Sequence, residues 1–350
     1  MLSVSRVVRI VTLLVVAVAV VTFPQWAPNP YILSAGVVVL IYATLSTSWN
    51  FVGGFTGYMS IGHAAWFGLG AYGTGLLIAR LDIPSFAALF ISAAIVGLIA
   101  IPVGLAALRV RGISFVIVTV ALLLVLQLVF QGLADLTGGS QGLVVPRPFP
   151  DLLRPEHHAV FFLIFTALLA VNLVAWWAID RSRFGLRLKA IREDEDKAQA
   201  LGIPTRAYKL SMFVVSGVLA ALAGGVYALW FGDLDPIFVF SILFSVYAVL
   251  MALVGGIRHL FGPVLGAVIV GVGAEFFKAG FGDTQLHLVL TGGLLAVVVL
   301  FMPDGLIPAA RDLIDRFRPQ QSSIREVTVE QLREAERQGN AGIDAQEVGK

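Results

Sequence analysis

Hydrophobic and polar positions along this chain fall into long apolar blocks separated by short polar breaks. A helix needs about 20 apolar residues to cross a hydrocarbon core. Ten blocks approach that length: Val7–Phe23, Tyr31–Val52, Ile61–Ala79, Ser85–Leu108, Ile113–Leu133, Ala159–Ile179, Leu210–Phe231, Ile237–Leu253, Gly262–Ala279 and Gln285–Met302. Each is predicted to be helical, because a lone segment in lipid has no other way to satisfy its backbone. The expectation is an all-α, polytopic helical membrane protein with about ten spans. A transmembrane domain of residues 1–308 would be followed by a tail, 309–350, cytoplasmic and partly disordered. Within the tail, Ile324–Gln338 suits one charged amphipathic helix.

Composition agrees with the blocks. Hydrophobic residues make up 58% and charged residues 13%, about half the charge of a soluble domain. The chain has no cysteine, which excludes disulfides, thiolate metal sites and a cysteine nucleophile. Arg6 and Arg9 precede an apolar run ending at Phe23, but Pro24-Gln25-Trp26 follows instead of a small-residue cleavage pattern. The run therefore reads as a retained span. Nucleic-acid binding is not suggested, because the charges are segregated between spans.

Basic residues set the orientation. With the N-terminus inside, the inner face receives Arg6, Arg9, Arg109, Arg111, the central polar loop, Arg258 and the tail. The outer face receives Arg80, Arg147 and Arg154: twenty against three, with Lys278 in or beside the ninth span. Such segregation is the positive-inside pattern, and it places both termini in the cytoplasm. The outer connection Ala134–His158 is rich in Gly and Pro. An ordered loop with a short surface helix and a plain linker both fit it.

Three stretches depart from plain hydropathy. Asp180–Lys209 holds eight of the 24 basic residues and five of the 22 acids, so it must project into water. Within it Asp194 suits an N-cap, and Glu195 and Asp196 suit the positive end of a helix dipole. Gly202 suits the left-handed C′ position, and Pro204 stops continuation. A short helix with Ala198 and Leu201 on one face is expected, either as a connector or as a docking element. The second stretch, Gly53–Gly75, carries eight glycines, with Asn50 before it and Ser60 and His63 inside. It predicts a broken start to the third span. The third, Val254–Gly271, echoes it: Val254-Gly255-Gly256 repeats Val52-Gly53-Gly54, by chance or as a diverged internal repeat.

Polar residues inside spans need a reason, since a central charge costs about 2.5–3.5 kcal/mol on the insertion scale. Asn50, Ser60, His63 and Gln127 are the candidates for a translocation path. His63 also suits a satisfied buried histidine, and Gln127 with Gln131 suits interhelical hydrogen bonds. Glu275 and Lys278, three apart, suit a structural pair. No G-x-x-x-x-G-K-[ST] loop and no H-E-x-x-H motif is present, and His157-His158, in the outer connection, has no facing cluster.

Four segments resemble the LivM-type permease subunits of branched-chain amino acid ABC importers: Asn50–Ala71, Phe184–Ser216, Gly255–Ala267 and Leu300–Leu306. The second is the most specific, because hydropathy does not force its charge spacing. Arg258-His259 stands where the family has Gly-Thr, and Asp196-Lys197-Ala198 where a Glu-Ala-Ala-like core is usual. The resemblance implies a subunit without ATPase activity or cofactor, in the inner membrane of a prokaryote. Its partners would be a LivH-type permease, two ABC ATPase subunits, an extracytoplasmic substrate-binding protein and membrane lipid. It also implies that Arg192, Glu193, Asp194, Glu195, Asp196, Ala198, Leu201 and Gly202 dock on an ATPase, with the acids meeting basic residues there. Importers of urea, short amides or aromatic acids share this pattern. An ion-coupled carrier would need a mid-membrane carboxylate, for which only Glu275 qualifies.

Overall fold

The computed structural model describes residues 15, 17–27, 29–282, 284, 286, 289–293, 300 and 305–309. The chain divides into Met1–Ile307 and Pro308–Lys350, and every element named below belongs to the first. The predicted helix Ile324–Gln338 lies outside the described residues, as do most of the tenth block and much of the first.

Among the described residues, seven helices are long and apolar enough to cross a membrane. The short apolar helix α1 (Ala17–Trp26) precedes them. α2 (Pro30–Thr56) starts at the Asn29 cap, whose side chain accepts from the Ile32 N–H. α3 (His63–Leu81), α4 (Ser85–Ala107) and α5 (Ile113–Gly132) follow. The outer connection is ordered: α6 (Ala134–Thr137), a 3-10 turn at Gly139–Gln141, and β1 (Leu143–Val144). β1 pairs antiparallel with β2 (Asp233–Leu234). α7 (Arg154–Asp180) then leads to α8 (Arg183–Glu193) and α9 (Glu195–Ala200). α10 (Thr205–Phe231), α11 (Pro236–Val239), α12 (Ile242–Gly255) and α13 (Gly262–Phe281) complete the set.

α2 and α10 form the centre of the bundle. α3 packs most extensively on α10, which also carries α4, while α2 carries α7 and α13. Small residues permit this closeness, as expected where helix association depends on packing rather than water. A Cβ at Gly224 would stand 1.9 Å from the Phe67 carbonyl oxygen, and one at Gly70 would stand 2.1 Å from that of Ala221. α3 and α10 are thus interlocked backbone to backbone. Around this core, α4, α5 and α7 turn Leu98, Ile117, Leu128 and Val174 outward. Such a coat is tolerated only where the solvent is lipid.

Several boundaries differ from the hydropathy reading. α2 continues to Thr56, so Gly53 and Gly54 are helical and the break is shifted to 57–62. α7 begins at Arg154, which makes His157 and His158 helical rather than part of a loop. There His157 Nε2 lies 3.0 Å from the Trp230 carbonyl, and Trp230 Nε1 donates to His158 Nδ1 at 3.0 Å. The eighth block is interrupted at Phe240-Ser241, between α11 and α12. The two glycine-rich stretches are built alike: α2 and α12 each end at a glycine cap, a six-residue break follows, and α3 or α13 begins. At the second break a Cβ on Gly255 would lie 1.6 Å from the Gly262 carbonyl oxygen.

Candidate functional site

The polar segment between α7 and α10 folds as two helices. Ser182 caps α8, its Oγ accepting from the Gly185 N–H at 3.0 Å. The elbow before it is tight, since a Cβ at Gly185 would meet the Ile179 carbonyl oxygen at 2.0 Å. α8 buries Leu188 and Ile191 against Phe51 and Phe55 of α2, Trp176 of α7, and Tyr208 and Met212 of α10. Phe184 stacks on Tyr208 at 4.6 Å. Sequence reasoning missed this helix, because its arginines and lysine mask the apolar spacing of Phe184, Leu188 and Ile191.

α9 begins and ends as its local chemistry predicts. Asp194 accepts from the N–H groups of Asp196 and Lys197 at 3.1 and 3.0 Å. At the other end Ile203 N–H donates to Ala198 O and Gly202 N–H to Gln199 O, the Schellman pairing. Gly202 has φ +82°, a conformation that side chains rarely adopt. One expectation fails here. Ala198 and Leu201 do not share a face: Ala198 is 2% exposed and Leu201 is 81% exposed. The helix ends between them, and the turn into Gly202 swings Leu201 into solvent.

The acids also divide. Glu193 and Asp196 are largely exposed, whereas Glu195 turns inward. Its carboxylate pairs with Lys209 Nζ at 2.5 Å and accepts the Tyr58 hydroxyl at 2.8 Å. Lys209, only 4% exposed, also donates to Tyr58 Oη at 2.7 Å and sits 4.5 Å from that ring's centre. Arg111 lies 3.3 Å from Glu195 and donates to Asp196 at 3.0 Å. Burial pushes the Glu195 carboxyl up. Hydrogen bonds from Lys209 and Tyr58, with the charges of Lys209 and Arg111, outweigh that and hold it below the usual carboxylate range. Hydrogen bonds at Asp194, chiefly from Lys197, likewise hold its carboxyl low. Glu195 therefore does not face outward to a partner's basic residues, as the sequence suggested. Arg192 turns inward too, donating from Nη1 to the Gly54 carbonyl at 2.8 Å.

The candidate path residues separate into two places. Ser60 and His63 lie at the α2–α3 break and Asn50 in the last two turns of α2 before it, all buried. His63 Nε2 pairs with Ser48 Oγ at 2.9 Å, and Trp49 Nε1 donates to the Ser60 carbonyl at 2.7 Å. Ser216 of α10 donates to the Ser48 carbonyl, and Ser245 of α12 accepts from the Ala64 N–H, each at 2.7 Å. Asn50 has neither its side-chain oxygen nor its nitrogen partnered among the described residues. Thr119 of α5 accepts from the Ile61 N–H of the break at 3.3 Å; Gln127 lies about two turns further along α5 and donates to the Ile237 carbonyl at 3.4 Å. Glu275 does not pair with Lys278: it accepts the Tyr31 hydroxyl at 3.0 Å, while Lys278 is exposed.

These features define a class: a multi-pass helical membrane protein of transport type, with a polar seam between its central helices and a capped element outside them. The model of the branched-chain amino acid transport system permease component family matches residues 31–299, and the chain belongs to that family. It is 26% identical over 338 residues to the high-affinity branched-chain amino acid transport system permease protein LivM of Escherichia coli (strain K12), spanning 88% of this chain and 76% of the relative. To the corresponding protein LivH of the same strain it is 26% identical over 286 residues, 76% of this chain and 91% of the relative. To BraD of Pseudomonas aeruginosa, also named a permease protein of such a system, it is 32% identical over 148 residues, 42% of this chain and 46% of the relative. No solved structure matches the chain.

Proposed function

We propose that this chain is the LivM-type membrane subunit of an ATP-driven importer of branched-chain amino acids. It is not itself catalytic. A LivH-type permease completes the membrane part, two ABC ATPase subunits supply hydrolysis, and an extracytoplasmic binding protein delivers the substrate. Relatives of both LivM and LivH type support the permease pair. The observation that carries the coupling role is the α8–α9 element, which is fixed on an apolar bed yet presents an exposed leucine at a capped helix end. A secondary carrier is not favoured, since Glu275 is engaged by Tyr31 near the start of α2.

Burying a leucine side chain contributes about 2 kcal/mol. Leu201→Glu should therefore weaken ATPase docking roughly 30-fold or more. Gly202→Pro should act alike, because proline cannot take φ +82°. Co-purification of tagged ATPases with the permease pair measures both. Wild-type retention of ATPases by both variants would remove Leu201 and Gly202 from the contact. A wild-type complex that holds no ATPase would end the importer reading.

A further inference from the structure

Two polar contacts of the α8–α9 element converge on one short stretch. Arg192 holds the Gly54 carbonyl in the last turns of α2, at 2.8 Å. Glu195 holds the Tyr58 hydroxyl at 2.8 Å, two residues past the end of that helix. A Cβ at Gly57 would lie 3.2 Å from Arg192 Cγ, so the arginine stem lies against the helix cap as well. Tyr58 is the first side chain of the break that continues through Ser60 to His63.

The packing around this stretch says what can move. α9 passes through Pro204 directly into α10, and Lys209 in the second turn of α10 is bound to Glu195. α10 is interlocked with α3 through Gly224 and Gly70. α9, α10 and α3 are therefore joined as one body. α2 meets that body and the element mainly through apolar surfaces, Phe51 and Phe55 among them, with the Arg192 bond to the Gly54 carbonyl and the Ser216 bond to the Ser48 carbonyl as directional contacts; so few bonds leave α2 able to shift against it. Displacement of that body relative to α2 is absorbed where α2 and α3 are connected, the non-helical residues 57–62. At that place the side chains Trp49, Ser48 and His63 close the polar seam.

We propose that Tyr58 and Arg192 are the positioning residues through which the α8–α9 element moves the α2–α3 break, with Glu195 and Lys209 holding Tyr58 in register with α9. This rests on the docking role proposed above. Movement of α9 by an ATPase pulls on the Tyr58 hydroxyl and the Gly54 carbonyl, and so shifts Ser60 and His63 rather than the bundle as a whole. A merely structural cluster would hold the loop in place and leave the break indifferent to nucleotide.

The test uses the complete importer in proteoliposomes. Tyr58→Phe keeps the ring over Lys209 and the edge contact with Phe115, but deletes the hydroxyl. Because the natural chain has no cysteine, Ser60→Cys can report opening of the break through its rate of thiol labelling. In the Tyr58→Phe background ATPases should co-purify normally and hydrolysis should stay within about two-fold. Substrate moved per ATP should fall about ten-fold, as befits one hydrogen bond to a charged group. The change in labelling of the introduced thiol on trapping the ATP-bound state should disappear. Wild-type transport per ATP, with a normal nucleotide-dependent change in labelling, would overturn the proposal while leaving docking intact. If Tyr58→Phe lowers the amount of folded complex, Glu195→Asp decides by the same readouts. It keeps the charge for Lys209 but withdraws the carboxylate from Tyr58. Loss of ATPases from the unmodified complex would instead overturn the docking reading, and this proposal with it.

Discussion

Gly224→Val is expected to leave almost no folded protein in the membrane. A Cβ at Gly224 meets the Phe67 carbonyl oxygen at 1.9 Å and the Ala71 nitrogen at 3.1 Å. Both are backbone atoms, so no rotamer change relieves the clash. A carbon and a carbonyl oxygen need about 3.3 Å or more, which forces α3 and α10 apart by more than an ångström. Close-packed interiors do not yield that distance locally. The cost should exceed about 4 kcal/mol, the range reserved for severe core defects. Gly132→Val provides the contrast, since nothing lies within 4 Å of a Cβ there. Size-exclusion profiles of detergent extracts should show Gly132→Val near the wild-type yield and Gly224→Val below about a tenth of it. Equal yields would show that the α3–α10 interlock is not required.

Lys209→Met is the second substitution with a large expected effect. It leaves Glu195, 12% exposed, with Tyr58 and the half-exposed Arg111 as its remaining partners. Breaking a fully buried pair costs about 3–5 kcal/mol. Arg111 and nearby water reduce that here to about 2–3 kcal/mol. Lys209→Met combined with Glu195→Gln removes both charges and should recover much of the loss. Acid gives an independent check. The Glu195 carboxyl is held below its ordinary value, so its contribution is present above the unfolded value, about pH 4.3. That contribution is lost as pH falls through the lower folded value. Melting curves in detergent should show the wild type and the double variant converging on acidification, with no convergence between pH 7 and pH 5. Convergence already at pH 6 would show that another group carries the effect.

Seven of the ten expected spans were legible among the described residues, because hydropathy largely decides what can cross a membrane. The caps of α9 were legible because they are local: Asp194 and Gly202 act on residues within four positions of themselves. What escaped the sequence is non-local. Tyr58 and Glu195 are 137 positions apart, and nothing in either neighbourhood announces the other. α8 escaped because its apolar bed comes from α2, α7 and α10, while its own composition reads as a solvated loop. Lys209 carried a weak signal, the last cation before the apolar length of α10. Ala198 and Leu201 were misjudged because helical spacing was extended past the residue where the helix stops. Glu275 and Lys278 have pairing distance in sequence, but Tyr31 of α2 stands nearer the carboxylate.

Asn50 marks the place where α2 meets the second glycine-rich break. Its amide is fully enclosed and unpartnered among the described residues, and a Cβ added at Gly54 would strike its oxygen at 2.3 Å. A buried polar group left without a hydrogen bond costs about 1–3 kcal/mol. Gly54 leaves that amide its room, and the Ile257 carbonyl oxygen, 2.6 Å from the same Cβ position, brings the second glycine-rich break to the same spot. The glycine one turn beyond Asn50 thus ties the two breaks together, and a side chain placed there would disturb both at once.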